Sequence, residues 1–241
     1  MQMAMMLAGM AFRDEIRERR YGILLPVFLL CLLTKILIYA IASLLHQKAS
    51  FSLINDSGIA SYMMALGFCV LITFFVQRLD PRGVFICSIV LACAAGYDNS
   101  LGDTLALSRM VVLYPFFFAG YAMDSQRLNK TLSKRALQFV AALILIIFVL
   151  SVYRYGANLY WLRPLLTGRN SFSSLSTNAE IGWLVRLIYY PIAFCLAFSF
   201  FAVMPESGLP ILNGIGKRAP SVFALGYVMF YISWMGSGFA I

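Results

Sequence analysis

Thr104-Leu-Ala-Leu-Ser-Arg-Met-Val-Val-Leu-Tyr-Pro-Phe-Phe-Phe-Ala-Gly-Tyr121 is an apolar run with one arginine inside it. Crossing a bilayer takes about 20 apolar residues, and this run is close to that length. A guanidinium near the middle of a membrane costs about 2.5–3.5 kcal/mol on insertion scales. Arg109 is therefore expected to meet a partner, a water-filled hollow or an anionic guest. Snorkelling to the headgroups is the plainer alternative, because Arg109 lies near one end of the run.

The rest of the chain has the same character. It has 241 residues, 61% of them hydrophobic and 12% charged, with a mean hydropathy of +0.83. Ordinary soluble domains are roughly 25% charged. These numbers exclude a soluble domain and predict one integral membrane domain over 1–241. Apolar runs predict spans at Tyr21–Leu45, Gly58–Val76, Gly83–Gly96, Thr104–Met123, Ala136–Tyr153, Ile181–Met204 and Ser221–Ile241. Gly83–Gly96 is short for a span and is expected to be little tilted or partly shielded. The fold class is all-α: a polytopic membrane helix bundle of about seven transmembrane helices, preceded by an apolar, Met-rich N-terminal stub.

Loop charges support this count. Cations concentrate in the first loop (Arg13, Arg17, Arg19, Arg20), the third (Arg78, Arg82), the fifth (Arg127, Lys130, Lys134, Arg135) and the seventh (Lys217, Arg218). The second has only Lys48, the fourth has no Lys or Arg, and the sixth has Arg154, Arg163 and Arg169. By the positive-inside rule the odd loops are cytoplasmic and the C-terminus lies outside. The net charge of +9 follows from topology, so no nucleic-acid partner is implied; the partner implied is the lipid bilayer. Lys35 and Arg186, the other cations inside spans, are expected to snorkel. Pro26, Pro115 and Pro191 are expected to kink their helices.

Catalytic patterns are sparse. The cysteines Cys31, Cys69, Cys87, Cys93 and Cys195 all sit in apolar runs without metal-ligand spacing and read as small buried hydrophobes. No metal site is expected. His46 is the chain's one histidine and reads as interfacial. Asp103 suits the N-cap of the Arg109 helix, with a pairing to Arg109 about one and a half turns in as the alternative. The loop Arg154–Glu180 has an aromatic anchor, Tyr160-Trp-Leu-Arg-Pro164, followed by a polar tract. Arg13–Arg20 reads as a topology anchor or as a binder of donor phosphates, since arginine forks suit phosphate. Gly214-Ile-Gly-Lys-Arg-Ala-Pro220 reads as a turn with an anchor.

Leu105-Ala-Leu-Ser-Arg-Met-Val-Val-Leu-Tyr-Pro-Phe-Phe-Phe-Ala-Gly-Tyr121 resembles the arginine helix of membrane acyltransferase-3 proteins. There an arginine precedes a Pro-Phe-Phe-x-x-Gly-Tyr stretch, and the resemblance is nearest to the fucose 4-O-acetylase-like branch. Met3-Ala-Met-Met-Leu-Ala-Gly-Met-Ala-Phe12 resembles the tail of the family's His-Met-Pro-Leu-Phe-x-x-x-Ser-Gly-Tyr helix. Arg13–Arg20 followed by Leu24-Leu-Pro26 resembles its Arg-rich turn into a Leu-Ile-Pro helix, and Gly216-Lys217 its Gly-Lys-x-Ser turn. The resemblance implies a multi-pass protein of the bacterial inner membrane. Such proteins move an acetyl or acyl group onto a carbohydrate hydroxyl of an envelope glycan. It implies acetyl-CoA or another acyl-CoA as co-substrate, no resident cofactor, and a glycan or lipid-linked sugar as acceptor. It also implies that Arg109 orients an acyl or sugar oxygen, with Arg17, Arg20 and Lys217 near the donor. The family's base is a histidine on a first span, and this chain has neither, so no catalytic residue is identified. The expectation is an N-terminally truncated member. A glycan-lipid exporter or flippase-like component without a base, and an inactive remnant, are the alternatives.

Overall fold

A computed structural model describes residues 1–44, 59–97, 107–124, 128, 134–159 and 181–203. Among these residues the chain is helical and contains no strand. The elements are α1 (Gln2–Ala11), α2 (Arg13–Arg17), a 3-10 turn (Tyr21–Ile23), α3 (Leu24–Leu44), α4 (Ile59–Val76), α5 (Pro81–Ala94), α6 (Leu107–Ala122), α7 (Arg135–Leu159) and α8 (Gly182–Val203). Two helices, at Arg135–Tyr155 and Gly182–Val203, are long and apolar enough to cross a membrane. Six of the seven expected apolar runs coincide with α3 to α8. The seventh, Ser221–Ile241, lies outside the described residues, as do His46, Asp103 and the loop beyond Leu159.

Helix boundaries follow local chemistry. Asp80 caps α5 by accepting from the Gly83 amide at 3.3 Å, and Pro81 opens the helix where its missing N–H costs nothing. α2 ends in a Schellman motif: the Arg20 amide donates to the Glu15 carbonyl and the Arg19 amide to that of Ile16. Arg19 holds the left-handed position at φ 55°, where glycine is usual. Pro26 falls in the first turn of α3, so the kink expected there is not required. α7 runs past the expected end at Tyr153 to Leu159, because Arg154 is a good helix former and does not stop it.

α6 is the centre of the bundle. From Ser108 to Tyr121 every residue except Val111 is buried. A helix that is apolar on all sides has to be enclosed, and α1, α4 and α5 pack directly against it. Met5 and Met6 of α1 are fully buried, so the stub is a packed element of the core. α1 meets α6 at paired glycines. A Cβ on Gly9 would strike the Phe117 carbonyl oxygen, and one on Gly120 would strike that of Met6. Only glycine permits this backbone approach, a device common between membrane helices. On the far side, rings stack from Tyr190 to Phe116 (5.4 Å), Phe116 to Phe194 (4.5 Å) and Phe194 to Phe85 (5.8 Å), joining α8, α6 and α5.

Polarity is arranged inside-out. Thr34, Lys35, Thr73, Ser88, Ser108, Arg109, Arg186 and Ser199 are buried. The outward side chains of α7 include Phe139, Ile146, Val149 and Leu150. Buried hydroxyls return to their own helices: Thr34 donates to the Leu30 carbonyl, Thr73 to that of Cys69 and Ser88 to that of Phe85, each at 2.7 Å. Such back-bonding satisfies a hydroxyl without water. Water-soluble monomers rarely expose contiguous apolar surface beyond a few hundred Å².

The segment Arg13–Tyr21 meets the ends of two other helices: Arg13 Nη1 lies 3.6 Å from Asp124 Oδ1, just beyond α6, and the Tyr21 ring lies 4.8 Å from that of Phe74, near the end of α4.

Gly120→Val is expected to destabilise the purified protein by about 1–3 kcal/mol, because Met6 backbone must move. Gly22→Ala, which meets nothing within 4 Å, is expected to leave the thermal midpoint in detergent unchanged.

Candidate functional site

The first residues of α6 place a charge inside the apolar bundle. Arg109 is only 7% exposed. The guanidinium is held among the helices. The remaining cations inside spans behave likewise. Lys35 is 8% exposed and Arg186 1%, so the expectation that both reach toward the headgroups is overturned.

For Arg186 the structure gives the reason. Its Nη1 donates to the Ala92 carbonyl oxygen at 2.7 Å. α5 has 14 residues and spans about 21 Å, short of a hydrocarbon core of about 30 Å. Its final carbonyls have no partner within the helix. Arg186, from α8, supplies one, and its charge also complements the negative end of the helix dipole. The shielding expected for the short run therefore comes from a cation on another helix. The shortness of α5 was the sequence signal for this role; nothing in the chain pointed to Arg186 as the partner.

A second cluster surrounds Pro115. Proline lacks the N–H that would reach the Val111 carbonyl, and its ring disturbs that turn. Side chains from other helices come to the neighbouring carbonyls. Tyr190 Oη donates to the Val112 carbonyl oxygen at 3.0 Å, and Cys69 Sγ lies 4.0 Å from that of Met110. Thr73 Oγ1 lies 3.3 Å from Tyr114 Oη. These donors reach the carbonyls on either side of that of Val111, the one Pro115 leaves without its helical amide. This network was not legible beforehand, since its members lie far apart in sequence.

Beside it, between α4, α5 and α6, lies a half-open cavity of about 430 Å³. That is within the range of about 300–1,000 Å³ usual for small-molecule sites. Its walls are almost wholly apolar, with Val76, Val84, Leu91 and Val111, although Asp80, Ser88 and Tyr114 are among the lining residues. Met110 lines it; Arg109 does not.

The expected site residues are not gathered in one place. Arg17 and Arg20 are exposed around the end of α2, and Arg20 Nη2 lies 2.6 Å from Glu18 Oε2. Arg13, one turn before Arg17, touches Asp124 just beyond α6. Arg109 lies at the other end of that helix, roughly 22 Å away along the axis at about 1.5 Å per residue. Lys217 lies outside the described residues. Cys31 and Cys69 are buried as expected, whereas Cys87 and Cys195 face outward from the bundle. Among the described residues no cluster of His, Cys, Asp or Glu could hold a metal ion.

No family model, curated protein or solved structure matches the chain.

Arg186→Met keeps most of the volume and removes the donor to Ala92. The loss of one buried hydrogen bond is expected to cost about 1–3 kcal/mol. Maleimide labelling of Cys93, adjacent to Ala92 and half-buried, should accelerate as the last turn of α5 loosens; an unchanged rate would remove this role from Arg186.

Proposed function

We propose that the chain is a polytopic inner-membrane protein of the acyltransferase-3 type. In this reading it crosses the bilayer seven times, with its basic loops in the cytoplasm and its C-terminus outside. It moves an acetyl or acyl group from acyl-CoA to a carbohydrate hydroxyl. The observation that carries the reading is the burial of Arg109 on the most enclosed helix of the bundle. An ionisable side chain kept within greasy helices is by default part of a site, and a guanidinium is suited to orient an acyl or sugar oxygen. The inside-out distribution of polarity supports the membrane setting. The meeting of the basic segment Arg13–Arg20 with the ends of α4 and α6 supports the assignment of sides.

Arg17, Arg20 and Lys217 take the role of meeting the donor's phosphates at the cytoplasmic face. The exposure of Arg17 and Arg20 suits that role. Arg109 lies near the opposite end of α6, so the acyl group has to travel most of the helix's length before it meets an acceptor outside. The described residues include no histidine, and the base for the acceptor hydroxyl is unassigned.

The test uses membranes containing the full chain, incubated with isotopically labelled acetyl-CoA, with label read in the glycan fraction. The wild-type chain is expected to transfer label. Arg109→Lys keeps the charge but loses the planar fork, and should lower transfer by roughly 10²-fold or more with an unchanged thermal midpoint. Full transfer by Arg109→Lys would remove the residue from the site. Translocation of a lipid-linked sugar with no acyl turnover by the wild type would replace this reading with an exporter.

A further inference from the structure

The cavity between α4, α5 and α6 belongs to neither the buried arginines nor the donor site. Its lining follows α5 from Asp80 and Gly83 to Leu91 and is closed on the inner side by α6 through Val111 and Tyr114. From Gly83 to Leu91 the helix rises about 12 Å, less than half of a hydrocarbon core of about 30 Å. The crevice thus begins at the basic end of the bundle and runs into the apolar zone. Its outer rim is apolar and exposed: Leu79 is 61% and Leu91 62% accessible. The hollow is therefore open sideways, toward the medium that the outer face of the bundle meets. At the mouth, Arg78 and Arg82 bracket the lining residues Leu79 and Asp80 in sequence, and both arginines are exposed. The Asp80 carboxylate faces the amide of Gly83, whose hydrogen bond it accepts.

We propose that this crevice holds one acyl chain of an anionic phospholipid from the cytoplasmic leaflet, with the lipid phosphate at Arg78 and Arg82. The lining selects a flexible hydrocarbon chain: the hollow is half-open and apolar along its walls, and its rim residues Leu79 and Leu91 are exposed. The charge selects the headgroup, because two forked guanidinia at the rim match a phosphate diester. The cytoplasmic leaflet is the anionic one, and each basic residue near its surface contributes about 1 kcal/mol of attraction. Ser88 leaves the crevice wall apolar, since its hydroxyl is turned back to the Phe85 carbonyl. The proposal shares the membrane setting with the functional reading but not its chemistry, so a failed acyl-transfer assay leaves it standing.

The experiment is native mass spectrometry of the full chain, released from nanodiscs containing equal amounts of phosphatidylglycerol and phosphatidylcholine. The wild type should retain one phosphatidylglycerol in preference to phosphatidylcholine. Arg78→Gln with Arg82→Gln should erase the preference while still retaining a lipid. Val84→Trp, which fills the hollow from α5, should release the lipid, with circular dichroism showing unchanged helicity. If Val84→Trp disturbs the helicity, Leu91→Trp provides the same blockade from the deep end. A wild-type chain released without lipid, as would follow if its own Ser221–Ile241 run filled the crevice, overturns the proposal. So does equal retention of the two lipids by the wild type, or undiminished retention by both filled variants.

Discussion

Backbone meets backbone where α1 crosses α6, with Gly9 against the Phe117 carbonyl and Gly120 against that of Met6. The remaining architecture follows from that contact and from the composition of α6. A helix with Met110, Val112, Leu113, Phe116, Phe117 and Phe118 around its circumference has no side to offer to water. α4 and α5 cover two sides, the aromatic ladder from α8 covers another, and the ten-residue α1 closes the gap. α1 is too short for a span, but the glycine pair lets it approach closely enough to bury Met5 and Met6 completely.

Polar groups then act as fasteners. Backbone carbonyls in the core accept from side chains on other helices. The unfinished end of α5 receives Arg186 from α8, and the carbonyls of Met110 and Val112, near Pro115, receive the Cys69 thiol from α4 and Tyr190 from α8. These contacts tie α8 and α4 to the centre. Arg109 is buried on the enclosed helix, at the end opposite Asp124, and the functional reading rests on that burial.

The described helices separate three regions along the bundle. The basic end has Arg13, Arg17, Arg20, Arg78 and Arg82, and it is where an anionic headgroup or a donor phosphate can be met. The middle is the aromatic core around Phe116 and Tyr114, with the crevice at its flank. The far end has Arg109, Arg186 and the last turn of α5.

Helix positions were fixed by the chain itself: runs such as Arg135–Tyr155 and Gly182–Val203 are apolar and long enough to cross a membrane, and the described helices fall on the apolar runs. Asp80-Pro81 wrote its own helix start. What each inward residue touches was decided only in three dimensions. Lys35 and Arg186 have long flexible stems, and sequence offers no means of telling a side chain that reaches for the headgroups from one that turns inward. That choice depends on whether a neighbouring helix brings an oxygen within reach, as Ala92 does for Arg186 across 94 residues. The crevice likewise has no sequence signature, because it is the space left where three helices meet and belongs to none of them.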